Sequence, residues 1–341
     1  MHLRSVALTA IALSVIVVTF AYLLPQVADY GEVRQAFKAL SPGWLLSLLI
    51  VTIANVATYA PNWMVALPGL KYRQSIEVTM AGTAVSNVAP LGGAVGMGMQ
   101  MAMFKGWGFE RSQASRAMIV TGIWNNMTNL AMPLVGLLVL TMRGGKNVAL
   151  EAAAKIGGVV LIIAVFLLWQ LFRSEVGARN VGRAFDRLRA PIARLRRTEP
   201  VRSGPETLAD FRRDSVELIR KRWLALTVTT LGGVMFVFVV LAVALRALNV
   251  DGDQVTYTEA FAAWASTRLL STAFPVTPGG LGIIEIGLTG ALVGFGGAQG
   301  PIVAAVLLYR VLTYIPPIVL GGFSFLTWRR HRTPANPDFV G

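Results

Sequence analysis

The chain has 341 residues, 55% of them hydrophobic and 14% charged, with a formal net charge of +14. A soluble domain covers its surface with about 25% charged residues, so this balance excludes most soluble classes and makes the bilayer the solvent. There is no cysteine, and the two histidines, His2 and His331, sit at the chain ends, which excludes disulfides, thiolate metal sites and a buried imidazole base.

In chain order, six apolar stretches have the length of full spans, about 20 helical residues each. The first, Val6–Leu24, follows Arg4 and lacks a small-x-small cleavage site before Pro25, so it is expected to be retained as a helix. Trp44–Leu67, Ala114–Leu140, Ala152–Phe172, Trp223–Leu245 and Pro301–Trp328 follow. Trp44, Trp223 and Trp328 stand at span ends, where indole prefers the headgroup layer. Two further apolar regions, Ile76–Phe104 and Tyr257–Phe295, are broken by Pro90–Gly93 and by Pro275–Gly280. Each reads as a pair of short helices joined by a breaker.

Between the spans, residues 173–222 carry fourteen Lys and Arg against seven acids, and the tail 329–341 opens on Arg329, Arg330, His331 and Arg332. The basic residues crowd into one loop and a tail and follow no groove, so a positive-inside bias explains them better than nucleic-acid binding. Loop, tail and N-terminus are then cytoplasmic, in a multi-pass protein of the inner or plasma membrane. The loop is expected to rest on anionic lipid headgroups, with a helix from Glu206 to Arg222.

Parity then makes both broken pairs re-entrant, the first from the inside and the second from the outside. A span, a broken pair and a span thus occur twice in opposite orientation, at about 44–140 and about 223–328. A fixed offset agrees: Pro90 matches Pro278, Gly92 matches Gly280, Gly106 matches Gly294 and Gly108 matches Gly296. The expected fold is all-α and polytopic, a single membrane domain over 1–328 with about six spans and two broken pairs in inverted-topology repeats.

Discontinuous helices at membrane depth are tolerated only around protein or a polar cavity, and half-helix N-termini suit a phosphate. The breaks therefore supply candidate substrate-binding residues: Pro90, Gly92 and Gly93 in the first, Thr277, Pro278, Gly279 and Gly280 in the second. Ionisable groups within apolar helices are costly unless paired or functional, which adds Arg268, Glu285 and Arg310. Glu285 and Arg310 are expected to pair. The polar residues Asn87, Gln100, Trp124, Asn125 and Asn129 of the first region are candidates for either interhelical bonding or substrate contact. No cofactor, metal or catalytic residue is expected.

Phe274 to Glu285, reading FPVTPGGLGIIE, and Leu307 to Arg310, reading LLYR, resemble the transmembrane flippase domain of the lysylphosphatidylglycerol synthase/flippase family. Asn87 to Gly93 and Gly106 to Phe109 are similar to its first-half motif. The resemblance covers roughly Val6 to Trp328, and Gly93 to Gly98 depart from the Gly-Glu and following Arg often found there. It implies movement of a lipid between leaflets, with Pro278, Gly279, Gly280, Glu285 and Arg310 as motif positions. It implies a stand-alone membrane domain without the family's aminoacyl-transferase domain, so a non-enzyme. Lone membrane domains of this kind resemble proteins that handle glycolipids or polyprenyl-phosphate sugars. The expected function is a flippase for an anionic or phosphate-bearing lipid. Alternatives are a polyprenyl-phosphate-dependent glycosyltransferase, suggested by Asp251 and Asp253 as a metal pair, and a non-transporting partner of a lipid synthase or glycosyltransferase.

Overall fold

The structure is a computed structural model and describes residues 30–38, 40–88, 92–142, 148–196, 204–273 and 280–331. Every regular element among them is helical. Apolar stretches in a bilayer demand this, because hydrocarbon offers no partner for backbone N–H and C=O groups and an α-helix satisfies them internally. In order they are α1 (Tyr30–Lys38), α2 (Pro42–Ala57), α3 (Ala60–Ala66), α4 (Tyr72–Val88), α5 (Gly92–Gly106) and α6 (Arg111–Met142). Then come α7 (Val148–Arg173), α8 (Glu175–Arg196), α9 (Gly204–Ala247), α10 (Tyr257–Ala273), α11 (Ile283–Gly294) and α12 (Gln299–His331).

Among the described residues, four segments are long and apolar enough to cross a membrane: α2 with α3, α6, α9 and α12. The expected span Val6–Leu24 lies outside the described residues, and Ala152–Phe172 falls within α7. Residues 173–222 are mostly helical where the sequence reads as a loop. The helix from Glu206 is continuous with the following span, so that α9 is one helix of 44 residues. Charge ends abruptly near Trp223, yet no Gly or Pro occurs between Glu206 and Leu231 to stop the backbone. The amphipathic α8 folds back along α9, where Asp186 accepts the Gly204 N–H at 2.9 Å.

Helices are described on either side of both expected breaks: α4 to Val88 and α5 from Gly92, α10 to Ala273 and α11 from Ile283. Residues 89–91 and 274–279 themselves, with Pro90, Thr277, Pro278 and Gly279, lie outside the described residues. Glycines let α4 and α5 run antiparallel in close contact: Gly82 faces the Gln100 side chain, and Gly96 faces Ser86 and the Gly82 carbonyl. A Cβ on Gly92 would stand 2.0 Å from the Ser86 carbonyl oxygen, whereas one on Gly98 meets open space. Gly92→Ala should therefore destabilise by about 3 kcal/mol, and Gly98→Ala by less than about 0.5. Thermal unfolding of the two purified variants checks this, and equal midpoints would remove the hairpin contact.

The short helices α5 and α11 end alike. The Phe109 N–H donates to the Phe104 carbonyl at 3.1 Å and the Gly297 N–H to the Leu292 carbonyl at 3.3 Å, each across a glycine of positive φ, Gly108 at +86° and Gly296 at +109°. These are Schellman-type stops, which need a left-handed residue that glycine adopts without strain. Each long helix then crosses to the other end of the chain: α6 packs on α10, and α12 packs on α4. Small residues permit both approaches. A Cβ on Gly136 would meet the Ala262 Cα at 3.0 Å, and one on Gly321 the Met80 carbonyl oxygen at 2.4 Å. The largest apolar cluster joins α9 to α12 around Trp264, Leu241 and Leu288, and a second joins α3 to α6 around Phe104 and Trp63.

Candidate functional site

A polar cavity of about 400 Å³ lies among α4, which precedes the first break, α10 and α11, which flank the second, and the long helices α6, α9 and α12. From the N-terminal part, α4 contributes Thr79, Thr83 and Asn87, and α6 contributes Asn125. Tyr59, at the bend between α2 and α3, adds a phenol, and Asn62, in α3, adds an amide. From the C-terminal part, α9 presents Thr229 and Thr230, α10 presents Arg268, and α12 presents Tyr309, Arg310, Thr313 and Tyr314.

Local geometry fixes these groups. Threonines at Thr79, Thr229 and Thr313 bond the carbonyl four residues back, at 2.8, 2.7 and 2.8 Å, which satisfies the hydroxyl hydrogen inside the helix and leaves oxygen lone pairs available. Thr230 donates to the Asn62 amide oxygen at 3.3 Å, and Asn55 donates to the Tyr59 hydroxyl at 3.1 Å. Tyr314 donates to the Asn87 carbonyl at 2.7 Å, tying α12 to the last turn of α4.

Two guanidinium groups set the electrostatics. The Arg310 Nε donates to a Glu285 oxygen at 2.6 Å, with Glu285 only 1% exposed in the first turn of α11. The other Glu285 oxygen accepts the Gly282 N–H at 2.7 Å, so one carboxylate both caps α11 and orients Arg310. Gly282 and Gly280 hold positive φ, +89° and +70°, in the approach to that helix. Arg268 reaches across to Asn129 on α6, donating to its amide oxygen at 3.2 Å, and lies 5.2 Å from the Trp264 ring centroid. Trp264 in turn donates to the Tyr309 hydroxyl at 3.1 Å. Among the described residues lining the cavity there is no carboxylate.

Of the residues the sequence singles out, Asn87, Asn125, Arg268 and Arg310 line this cavity, and Glu285 and Asn129 hold its two arginines. Gln100 and Gly92 instead form the contact between α4 and α5, a Cβ on Gly93 meets open space, and Trp124 donates to Thr227 at 3.0 Å on the opposite side of α6 and α9. Asp251 and Asp253 stand exposed between α9 and α10, outside the cavity. Tyr59, Asn62 and the threonines carry no sequence signal that separates them from ordinary polar residues of a membrane helix.

The family model described as lysylphosphatidylglycerol synthase TM region matches residues 8–321. The chain belongs to this family. The match takes in both broken pairs, the basic α8 and α9 segment and the first two thirds of α12, so the cavity lies wholly inside the family's membrane domain. No curated protein matches the chain.

Proposed function

We propose that the chain moves a lipid with an anionic or phosphate-bearing headgroup between leaflets, the headgroup in the polar cavity and the chains in hydrocarbon. The observation that carries this reading is the convergence of Arg268 and Arg310 on one cavity without a lining carboxylate, in a domain of this family. Guanidinium groups present forked donors that match phosphate oxygens, and amide and hydroxyl groups around them complete a polar shell. Glu285 offsets the burial of Arg310, and Arg268 brings a second positive charge to the cavity, held by the neutral Asn129 amide.

The same reading makes the two broken pairs re-entrant and the two ends of the chain inverted repeats, with about six spans. The matched Schellman stops and the exchange of α6 onto α10 and α12 onto α4 support it, because an approximate two-fold relation accounts for both. Basic α8 and the start of α9 then face the cytoplasm against anionic lipid, with both termini on that side. In this cysteine-free chain, single cysteines at exposed Arg179 and Gly252 should react with an impermeant thiol reagent from opposite sides of sealed vesicles. Reaction from one side would remove the inverted arrangement.

Transport is tested with the purified chain in phosphatidylcholine vesicles holding a fluorescent phosphatidylglycerol or a fluorescent polyprenyl phosphate. In protein-free vesicles an external quencher reaches the outer leaflet alone. With the chain present, quenching should extend to nearly all of at least one probe, and quenching that stops at the outer leaflet for both would overturn the reading.

A further inference from the structure

Helices α6 and α9 are walls with two faces. One face of each, through Asn125, Thr229 and Thr230, looks into the polar cavity. The other, through Trp124, Thr128 and Leu231, lines a groove of about 740 Å³ closed on its far side by α7 with Val165, Trp169 and Phe172. The hydrogen bond from Trp124 to Thr227 spans the two walls between cavity and groove. The groove is almost wholly apolar, and its volume lies in the range of about 300–1,000 Å³ typical of sites that take up a small organic ligand. Val165 and Trp169 are more than half exposed, an arrangement stable only where hydrocarbon replaces water.

One end of the groove differs. Arg173, the last residue of α7, is exposed, and its guanidinium lies 4.6 Å from the Trp169 ring centroid. Arg212 on α9 donates to the neighbouring Phe172 carbonyl at 3.4 Å, which brings a second cation to the same end. Among the described residues lining the groove there is no acidic side chain. An apolar channel with cations at its mouth complements a molecule with an anionic head and a hydrocarbon chain, and an aromatic ring beside the cation suits the boundary between the two.

We propose that this groove docks one acyl chain of an anionic glycerophospholipid of the bilayer, its phosphate at Arg173, as the loading station beside the cavity. The proposal rests on the lipid-carrying reading above and names the class of lipid that approaches.

The test uses the full chain in phosphatidylcholine vesicles containing a trace of phosphatidylglycerol or phosphatidylcholine with a photoactivatable diazirine in one chain. After irradiation, labelled residues are mapped by mass spectrometry. The groove residues Trp124, Val165 and Leu231 should take the phosphatidylglycerol probe about fivefold over the phosphatidylcholine probe, the preference one cation near an anionic headgroup confers. The exposed face of α2 at Leu46, Leu49 and Ile53 should show no preference. Arg173→Gln should lower the groove preference and Arg173→Lys should keep most of it. Equal labelling by the two probes in the groove, or a preference untouched by Arg173→Gln, would overturn the proposal. Selective labelling without transport would count against the transport reading alone, and transport without selective labelling against the docking groove alone.

Discussion

Replacing Glu285 by Gln should lower the stability of the chain by about 3–5 kcal/mol, the cost of leaving one member of a buried ion pair without its partner. Glu285 is buried at 1% exposure and Arg310 has a side chain only 11% exposed. The change removes the charge that faces the Arg310 Nε and weakens the acceptor that caps α11 through the Gly282 N–H. A second substitution, Arg310→Gln, takes away the uncompensated charge, and the double variant should recover most of the loss, because the coupling between two touching groups is what the single change breaks. Unfolding midpoints of the three proteins in one detergent measure this. The same double variant should remain inactive in the vesicle assay, since a neutral amide at position 310 offers no cation to a phosphate oxygen. Recovery of folding together with transport would leave the pair a purely structural role and take Arg310 out of the headgroup site.

Arg268 carries the second large effect. Its guanidinium lines the cavity and is held by Asn129, on a helix from the other end of the chain. Arg268→Gln should weaken binding of an anionic headgroup by about 10- to 150-fold, the worth of one or two charge-assisted hydrogen bonds in a site of low dielectric. Arg268→Lys keeps the charge and loses the planar fork, so it should recover only part of that loss. Asn129→Ala leaves the charge in place but releases its tether, and a smaller defect is expected. Equilibrium binding of a soluble short-chain phosphatidylglycerol, followed by protein fluorescence, orders the three variants. Arg268→Gln binding as tightly as the parent chain would exclude Arg268 from the site.

The pairing of Glu285 with Arg310 was legible in the sequence because charge inside an apolar helix has few affordable outcomes, and a carboxylate and a guanidinium in neighbouring helices offer the cheapest. The two clusters that flank helix ends were legible for a similar reason, although Pro and Gly do not stop a helix everywhere: Pro316, Pro317, Gly321 and Gly322 run inside α12. Neutral groups were not. Thr229 and Thr79 bond their own helix and look like any hydroxyl in a membrane segment until the tertiary structure aims them at one cavity. Trp124 and Asn125 are adjacent in sequence, yet the turn of about 100° per residue sends one to Thr227 and the other into the cavity. Composition alone cannot fix that rotation. The 44-residue α9 escaped notice because a change from charged to apolar residues at Trp223 marks a change of solvent, and the helix itself does not stop there.

The exchange of long helices has a consequence for how the chain is made. α4 leaves the ribosome some two hundred residues before α12, and the face of α4 at Met80 and Ala84 meets Gly321 only when that last helix arrives. The hairpin of α4 and α5 must therefore wait in the membrane with one side unfinished while most of the protein is still being synthesised. α6 waits in the same way for α10. Neither end of the chain completes itself, so assembly closes only after the last helix is inserted, and a chain cut short within α12 leaves one side of α4 uncovered.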